Sequence, residues 1–394
     1  MKILFVIRKN AFKIPGGDFI QLSNTKKELE KKGVICHISF GIENLERIID
    51  NFDIIHLFNL QTPLTTLRAA HIAKKHKKKI VVSTIYFNIW SIVSGIFFMK
   101  AGLKMACRSK LIQKSFYSFY KHIFIPPFFV IPKIKEKYKD SILNPEIFQM
   151  IKEIIEIADL LLPNSKEELK QLHADMKEMG CKDVEKKSKI VINAIDKKKF
   201  TNLPKTNNKY LNDLFEKIRT KQKIIVGEVG RIENGKNQVA IVKSLMKRKD
   251  IGIIFIGKHH NNSYYRKLKK ISAIRNGVYF IDHVLEEDIP YIMKQLDVHV
   301  LPSIRETPGL TSLEAAVVGT PIVSTVYAPN REYFKDYAYI CDPFNLKDIY
   351  NKIILANDMD KNKREDMRNY ILNNFTWEIA AKQTLDAYGS VLRL

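Results

Sequence analysis

Two glutamates, eight positions apart, flank a Pro-Gly turn in the stretch SIRETPGLTSLEAAVVGTPIVST. A helix is predicted to begin near Leu310, which places Glu314 about one turn inside it and Glu306 just before the turn. Main-chain amides at a helix start have no partner within the helix and bind phosphate readily, although Pro308 lacks an amide. The amides that could serve are those of Gly309, Leu310 and Thr311.

The two carboxylates of this stretch suit a ligand that is rich in hydroxyl groups. A carboxylate can accept two hydrogen bonds from a vicinal diol, so Glu314 suits the hydroxyl groups of a ribose. Glu306 lies nearer the position where a further sugar would sit. The helix dipole alone also favours an acid near a helix start, but that explanation covers one of the glutamates and not both.

Two cations follow another predicted strand, in the stretch VGEVGRIENGKN. The strand is predicted to end at Val229, and Gly230 then permits a tight turn. Arg231 and Lys236 are therefore presented at the carboxyl end of the strand. Arginine offers a fixed fork of donors and lysine a point charge, a combination that suits a diphosphate. Because surface arginines and lysines are common, this pattern is weak without the two glutamates.

A glycine pair, Gly16-Gly17, follows the first predicted strand and opens the next helix. Glycines at such a junction let the backbone approach a ligand closely. The pair does not complete a GxGxxG pattern, so the sequence does not favour a dinucleotide site here.

These residues lie at the ends of elements that alternate between short β-rich runs and amphipathic stretches. Strands of the first half are predicted at Ile3–Ile7, Val34–Phe40, Ile54–Leu57, Ile80–Thr84, Leu160–Pro163 and Lys189–Ile192. Helices are predicted at Phe19–Lys32 and Pro63–His76. Strand–helix alternation with short connections predicts a parallel sheet that is covered on both faces.

A second alternating set follows Asp196–Gln222, a polar stretch that contains Pro204 and is predicted to be a linker. Its strands are predicted at Ile224–Val229, Ile251–Ile256, Val278–Ile281, Val298–Leu301 and Pro321–Ser324. Its helices are predicted at Gln238–Arg248, Tyr264–Arg275, Glu286–Lys294 and Thr311–Val318, and Asn345–Leu394 is predicted to be mostly helical. Two doubly wound halves predict an α/β fold with a cleft between them and ligands at the carboxyl ends of the strands.

Composition bounds the class of protein. A chain of 394 residues is long enough for two domains, and 45% apolar with 27% charged residues is typical of a globular protein rather than a disordered or polytopic membrane protein. The four cysteines form no CxxC pair, which excludes a disulfide scaffold and a Cys-type zinc site and favours a reducing cytoplasm. The start, MKILFVIRKN, does not have the pattern of a signal peptide.

The formal net charge is +24, and the excess is concentrated in one region. From Ile54 to Lys135 there is no Asp or Glu, while Lys and Arg number 14. The basic aromatic segment, residues 86–140, is predicted to lie on an anionic membrane surface. A buried strand followed by a buried helix is the alternative, and Ser, Thr and Asn88 argue against a span at Ile80–Met99. No nucleic-acid motif accompanies the charge, so a nucleic-acid partner is not expected.

Together these motifs resemble the retaining glycosyltransferases of family 4, which have the GT-B fold, along nearly the whole chain. The most specific element is the Glu306/Glu314 pair in its context. The supporting elements are Gly16-Gly17, Asp53-Ile54-Ile55-His56, Pro163-Asn164-Ser165, Asn193-Ala194-Ile195-Asp196 with Phe200, and Gly230-Arg231 with Lys236.

The resemblance implies two Rossmann-like domains that face each other across a cleft. Residues 1–200 would bind the acceptor, residues 201–375 would bind a nucleotide sugar, and residues 376–394 would form a helix that crosses back to the first domain. The Gly16-Gly17 loop would close over the phosphates of the donor. A glycan or lipid-linked acceptor follows from the same resemblance, with docking at the inner face of the membrane.

The resemblance also implies roles for single residues. Arg231 and Lys236 would bind the diphosphate, Glu314 the ribose hydroxyl groups and Glu306 the transferred sugar. The donor site would include Gly16, Gly17, Gly230, Arg231, Lys236, Glu306, Pro308, Gly309, Leu310, Thr311 and Glu314.

Acceptor contacts are predicted for His56 and Asn59 at the end of the third strand, although polar residues that are satisfied at a strand end are an equal alternative. Tyr86 stands where the family often has an acceptor-side histidine. Ala194 and Pro308 also depart from the family pattern, which often has Gly and a Phe or small residue at these positions.

The implied chemistry is front-face transfer, in which the departing diphosphate accepts the proton of the acceptor and the cations stabilise the developing charge. No metal or other cofactor is expected: Asp358-Met359-Asp360 matches DxD but follows a predicted helix, where a solvated turn is favoured. Two other classes stay open. One is a sugar-nucleotide epimerase or a phosphorylase on the same fold, and the other is a non-catalytic basic protein that binds membrane or nucleic acid.

Overall fold

The structure is a computed structural model that describes residues 1–87, 112, 115, 146–201, 208–259, 262–304 and 306–393. The chain divides into two compact units. The first unit comprises Met1–Asn193 with Trp377–Leu394, and the second unit comprises Ala194–Thr376. Each is built on its own parallel β-sheet with helices on both faces, so the predicted α/β fold class is confirmed.

The first sheet has five described strands in the order β2-β1-β3-β4-β5, and every pairing between them is parallel. The strands are β1 (Lys2–Ile7), β2 (Ile35–Phe40), β3 (Ile54–Phe58), β4 (Lys79–Ser83) and β5 (Leu160–Leu162). The helices are α1 (Gly17–Glu30), α2 (Leu45–Ile48), α3 (Pro63–Lys75), α4 (Ile147–Ile157) and α5 (Lys166–Glu178), and a 3-10 turn covers Ile49–Asn51.

Burial explains why these strands are almost continuously apolar. Every residue of β3 is buried, because helices cover both faces of the sheet. On one face α4 packs with Ile147, Ile151 and Ile154 fully buried, a spacing that keeps one stripe of the helix against α3 and the sheet. The carboxyl ends of these strands therefore extend from an apolar core.

The second sheet has six described strands in the order β11-β10-β9-β6-β7-β8, again all parallel. They are β6 (Ile224–Val229), β7 (Ile251–Ile256), β8 (Val278–Ile281), β9 (Val298–Leu301), β10 (Ile322–Thr325) and β11 (Ala338–Cys341). The bounds of β6, β7, β8 and β9 match the predicted ones, because each is a short apolar run that ends at a turn residue or a polar loop.

The helices of the second unit follow in chain order, with 3-10 turns at Asn234–Lys236, Glu286–Asp288 and Lys335–Tyr337. They are α6 (Lys197–Thr201), α7 (Lys209–Lys221), α8 (Gln238–Ser244), α9 (Asn262–Arg275), α10 (Ile289–Gln295), α11 (Leu310–Val317), α12 (Asn330–Phe334), α13 (Leu346–Asn357) and α14 (Lys361–Asn374). The chain ends with α15 (Trp377–Leu392), which packs against α1 in the first unit. The predicted helical character of the end of the chain is confirmed.

The prediction of a linker at Asp196–Gln222 is wrong for most of that stretch. Its second half is helix α7, which Asn208 caps by accepting a hydrogen bond from the Leu211 amide at 3.4 Å. Leu211, Phe215 and Ile218 are buried on one face of the helix. Their spacing of four and three residues is that of an amphipathic helix, which the surrounding polar residues obscured.

The predicted strand at Lys189–Ile192 is also wrong. The chain there runs beside β5, with the Lys189 amide donating to Leu161 and the Val191 amide donating to Pro163. Because Pro163 has no amide, it cannot return a hydrogen bond, and no regular ladder forms.

Most of the predicted basic aromatic segment, residues 86–140, lies outside the described residues. In the part of the chain that the structure describes, no helix is both long enough and apolar enough to cross a membrane.

Candidate functional site

The two motifs of the second unit meet where the carboxyl ends of its strands lie, and this row of strand ends is called the edge of the sheet below. They follow β6 and β9, which are neighbours, so the carboxyl ends of these strands lie side by side. The two loops are joined directly: the Ile304 amide donates to the Gly235 carbonyl oxygen at 2.9 Å. The Asn237 side chain adds hydrogen bonds to the carbonyl oxygens of Pro302 at 3.3 Å and Pro343 at 2.8 Å.

Lys236 and Glu306 form the central contact of this edge. The Lys236 Nζ atom lies 2.5 Å from Glu306 Oε2, and the Ser303 hydroxyl donates to the same oxygen at 3.1 Å. Burial alone would lower the pKa of Lys236, but the negative charge of Glu306 and its hydrogen bond to Lys236 oppose this, and that pKa is raised above its ordinary value. Lys236 therefore carries a positive charge at neutral pH beside a carboxylate that is itself only 13% exposed.

Arg231 lies near the start of the same loop, two residues after the end of β6. Its guanidinium group is 47% exposed and lies 3.2 Å from the Glu233 carboxylate. The turn that carries it packs closely on the loop after β7, since a β-carbon on Gly257 would collide with the carbonyl oxygen of Gly230. Gly257 also has a φ of 141°, so both the space and the backbone conformation require glycine at this position.

The turn before α11 has a similar requirement. Gly309 has a φ of 77°, and a β-carbon there would lie 2.7 Å from Leu301 Cδ2 and 3.0 Å from Glu306 Cγ. The helix begins at Leu310, as predicted, with Leu310 and Thr311 partly exposed and Pro308 buried. The first amides of α11 thus start beside Glu306 and have no acceptor within the helix.

Glu314 lies on the second turn of α11 and is partly exposed. Burial by the surrounding protein raises the pKa of its carboxyl group to about 7, with Lys199 opposing the shift and Glu286 adding to it. Lys199 and Glu286 form an ion pair with an N–O distance of 3.0 Å. Near neutral pH this carboxyl group is therefore poised between its two protonation states.

This edge combines exposed or half-buried cations, helix-start amides and two carboxyl groups. Cations and amides stabilise a bound anion, and the carboxyl groups can accept hydrogen bonds from sugar hydroxyl groups. The arrangement suits an anionic ligand that also carries hydroxyl groups. Every one of these residues lies within the second unit.

The glycine pair of the first unit lies at the start of α1, where Gly16 precedes the helix and Gly17 is its first residue. An ion pair that the sequence analysis missed holds this loop, with Arg8 Nε donating to Asp18 Oδ2 at 2.8 Å. A β-carbon on Gly16 would lie 2.8 Å from Asp18 Oδ1. A side chain at this position would therefore displace the Asp18 carboxylate from its place beside Arg8.

The expectation that His56 contacts an acceptor is not supported. His56 is 1% exposed in the middle of β3, not at its end. Its Nδ1 atom lies 2.6 Å from the Tyr388 hydroxyl and its Nε2 atom 2.9 Å from the Ser83 hydroxyl. Burial lowers its pKa to about 3, so the ring is neutral and both nitrogens are already used. The alternative of a satisfied core histidine is the one that fits.

Tyr86 and Asn59 are also turned inward. Tyr86 is 1% exposed, and its hydroxyl group donates to Asp175 Oδ2 at 2.6 Å. Asn59 is 9% exposed; it accepts a hydrogen bond from the Gln61 amide at 2.7 Å and donates to Asp18 at 3.4 Å. Both side chains therefore point into the first unit, where they form hydrogen bonds with neighbouring residues.

Glu168 and Glu228 are among the buried carboxyl groups of the described residues that the sequence analysis missed. Glu168 accepts hydrogen bonds from the amides of Tyr86 at 2.8 Å and Asn164 at 2.9 Å. The signal for it was present, because Ser165 and Glu168 have the spacing of a helix capping box and Ser165 does cap α5. Glu228 on β6 carried no such signal.

The DxD match has a structural role. Asp360 caps α14 by accepting a hydrogen bond from the Lys363 amide at 2.9 Å. Within the described ranges, no group of three or more His, Cys, Asp or Glu side chains could hold a metal ion.

Comparison with known proteins bears on the second unit first. Residues 212–373 match the family model of glycosyl transferases group 1. The matched region contains Arg231, Lys236, Glu306 and Glu314, so the edge described above lies inside the family pattern.

Curated relatives are similar over part of their length. The O-antigen chain mannosyltransferase B of Escherichia coli is 32% identical over 112 residues, covering 28% of this chain and 29% of that protein. The O-antigen biosynthesis glycosyltransferase WclY of Escherichia coli is 25% identical over 170 residues, covering 43% of this chain and 48% of that protein. The matched region thus spans less than half the length of each of these relatives.

Solved structures are similar over the whole chain. HepE of Anabaena, solved in complex with UDP and glucose, has a TM-score of 0.70 at 15% identity and covers 99% of this chain and 100% of its own. Sucrose-phosphate synthase from Thermosynechococcus elongatus has a TM-score of 0.70 at 13% identity, and the match covers 100% of this chain and 99% of that one. The fold is GT-B, with two Rossmann-like domains.

Proposed function

We propose that this protein is a retaining glycosyltransferase of family 4. It moves a sugar from a nucleotide-sugar donor to a lipid-linked or membrane-associated glycan acceptor, in the synthesis of a cell-surface polysaccharide or lipopolysaccharide. The observation that carries the proposal is the 2.5 Å contact between Lys236 and Glu306, which joins the cation motif to the two-glutamate motif. The similarity to O-antigen glycosyltransferases supports the acceptor class.

In this proposal the donor diphosphate binds to the positive charges of the second unit. Arg231 is half exposed and Lys236 keeps its charge at neutral pH, so both can attract an anion beside their carboxylate partners Glu233 and Glu306. The amides at the start of α11 add uncharged donors to the same oxygens. HepE, a structural neighbour, was solved with UDP, which supports a donor of this class.

The two carboxyl groups bind the sugars. Glu314 accepts hydrogen bonds from the ribose hydroxyl groups, and Glu306 contacts the transferred sugar. Since Ser303 and Lys236 both hold Glu306, its carboxylate is fixed before the donor arrives. Such preorganisation lowers the cost of reaching the transition state.

Transfer proceeds on the front face of the sugar. The bond between the anomeric carbon and the diphosphate oxygen breaks while the acceptor oxygen bonds to the same face, and the leaving diphosphate accepts the acceptor proton. Negative charge grows on the diphosphate, where Arg231, Lys236 and the α11 amides stabilise it. No metal is needed for this step, so EDTA should leave turnover unchanged.

The experiment is a screen of UDP-, GDP-, ADP- and dTDP-sugars for binding and slow hydrolysis by purified protein. One donor class should bind and be hydrolysed with retention of anomeric configuration, which NMR of the first product reports. Binding of none of the four donors would contradict the proposal. Hydrolysis with inversion would contradict the retaining mechanism alone, and epimerised donor would indicate the epimerase alternative.

Membrane docking is a separate part of the proposal, based on the net charge of +24 and the acid-free stretch from Ile54 to Lys135. Attraction to anionic lipid is expected at a peripheral site on the inner membrane face. Sedimentation with vesicles tests it: binding should be stronger to anionic than to neutral vesicles and should weaken as salt is added. Equal binding to both would contradict it.

A further inference from the structure

A fully buried carboxyl group lies beneath the loop that carries the cations. Glu228 is on β6, two positions before Gly230, and is 0% exposed. The Gln238 side-chain amide donates to Glu228 Oε2 at 2.7 Å and to the Arg231 carbonyl oxygen at 3.0 Å. One side chain therefore ties the carboxyl group of Glu228 to the main chain of the turn.

The second oxygen of Glu228 lies directly under the same turn. A β-carbon on Gly230 would stand 3.0 Å from Glu228 Oε1. Among the residues that the structure describes, this oxygen has no hydrogen-bond partner. A buried carboxylate oxygen without a donor is costly, whereas a protonated carboxyl group there is not.

The charges around Glu228 come from two loops. Lys236 follows on its own loop with a positive charge, and Glu233 on that loop and Glu306 after β9 are negative. Burial is the largest influence and raises the pKa of Glu228 to about 8; Lys236 and the Gln238 hydrogen bond oppose it, and the two glutamates add to it.

Among the described residues, Tyr264 on α9 is a further titratable group near Glu228. Its hydroxyl group accepts a hydrogen bond from the Val239 amide at 3.2 Å. Burial, the largest influence, and the charge of Glu228 both raise the pKa of Tyr264 well above the neutral range. Tyr264 therefore stays neutral while Glu228 titrates.

We propose that Glu228 is a positioning residue that holds the Gly230–Arg231 turn through Gln238, and that its carboxyl group must carry a proton for a nucleoside diphosphate to bind above it. This rests on the proposed function, and it adds a control by pH that the cations alone do not imply. A neutral Glu228 adds no second negative charge near Lys236, which is already paired with Glu306. An ionised Glu228 adds a buried negative charge beneath the turn and repels the diphosphate through protein of low dielectric constant.

Isothermal titration calorimetry on wild-type protein and Glu228→Gln tests this. The probe is whichever of UDP, GDP, ADP and dTDP binds most tightly at pH 7. In wild type the Kd should rise by up to about tenfold for each pH unit above about 8, because only the protonated fraction binds. In Glu228→Gln, whose amide can still accept from Gln238 but cannot ionise, the Kd should stay level between pH 7 and pH 9.5.

The same titrations report the proton itself. At pH 8.5, binding to wild type should take up roughly three quarters of a proton, measured in two buffers of different ionisation enthalpy. Glu228→Gln should take up none. The control variant is Glu287→Gln, which changes an exposed glutamate and should behave as wild type.

Gln238→Ala separates the two parts of the proposal. It removes the tie to the Arg231 carbonyl oxygen but leaves Glu228, so binding should weaken about tenfold at every pH while proton uptake persists. Wild-type affinity in Gln238→Ala would overturn the positioning role. Equal pH dependence of Kd in wild type and Glu228→Gln would overturn the role of the proton.

A readout without ligand distinguishes this inference from the proposed function. The folded protein holds the Glu228 proton up to about pH 8, whereas the unfolded chain releases it near pH 4.5, so stability falls as pH rises between these values. The Tm of Glu228→Gln should exceed that of wild type at pH 8.5 and equal it near pH 4, where Glu228 is protonated in both the folded and the unfolded chain. If no nucleotide bound at all, the proposed function and the role in binding would both fail. An equal Tm at pH 8.5 would instead overturn the buried proton.

Discussion

The polar side chains at the carboxyl ends of the two sheets differ in how far they are exposed to solvent. In the first unit, Asn59 after β3 is 9% exposed and Tyr86 after β4 is 1% exposed, and their polar atoms are bonded to other residues of the same unit. In the second unit, the side chain of Arg231 is 47% exposed and that of Lys236 is 20% exposed. Each forms an ion pair with a carboxylate and still remains in contact with solvent. The first edge is internally satisfied, and the second edge presents charge.

This difference separates structural polar residues from binding residues. A buried polar group is stable only when protein atoms satisfy it, and then it has nothing left to offer a ligand. A charged group that stays partly in water remains available. Position at a strand end is shared by both edges, so position alone does not identify a binding residue.

The largest effect is expected for Lys236→Ala. It removes one preorganised cation and leaves Glu306 beside the diphosphate without its partner, so kcat/KM for the donor should fall at least 100-fold, or about 3 kcal/mol or more. Arg231→Ala should lose a similar amount. Steady-state kinetics with the donor found in the screen measures both.

Lys347→Ala is the matched control for these variants, because Lys347 is an exposed lysine of the same unit at the start of α13. It should keep wild-type kinetics. Near-wild-type turnover in Lys236→Ala would break the contrast between the two edges, since the second edge would then be as inert as the first.

Two glycines sharpen the contrast through stability. Gly257→Ala places a β-carbon against the Gly230 carbonyl oxygen at a φ of 141° and should cost about 3 kcal/mol. Gly180→Ala in the first unit meets no atom within 4 Å at a φ of 79°, so it should cost only about 1 kcal/mol through the backbone. Urea unfolding measures the free energies. Similar losses would mean that the close approach of the two loops is not rigid.

His56 predicts acid sensitivity of the first unit. Its folded pKa of about 3 lies below the ordinary 6.5, so the unfolded chain binds a proton that the folded chain does not. The contribution of the neutral His56 ring to the free energy of unfolding is therefore present in full above pH 6.5. It is lost as pH falls, by up to about 1.4 kcal/mol per pH unit.

His56→Gln should reduce this slope between pH 6.5 and pH 4.5, as measured by urea unfolding at several pH values. The exposed His71→Gln, which changes a histidine paired with Glu153 on the surface, should leave the slope as it is. An unchanged slope in His56→Gln would show that the ring is not held neutral in the core.

The smallest effect is expected for Tyr86→Phe. The variant loses one hydrogen bond to Asp175 and should lose about 1 kcal/mol of stability, with the kinetics of transfer unchanged. Thermal unfolding and acceptor kinetics are the measurements. A raised KM for the acceptor would restore the prediction of an acceptor contact and weaken the contrast between the edges.

Some differences between prediction and structure had a local signal. The buried stripe Leu211, Phe215 and Ile218 is a helical pattern within a Lys- and Asn-rich stretch, and Ser165 with Glu168 is a capping box. Both could have been found from the sequence. The fate of His56 had no such signal, because its partner Tyr388 lies 332 positions away in the chain.

What the sequence determined by itself is the class of fold and the edge of the sheet at which the cations and glutamates stand. Strand lengths, turn glycines and the spacing of Glu306 and Glu314 are local properties, and parallel strands place their carboxyl ends together. Tertiary structure alone decided which polar groups face water and which face each other. Burial and pairing depend on residues distant in sequence, so Glu228 became a buried acid and His56 a core residue only when the sheets were packed.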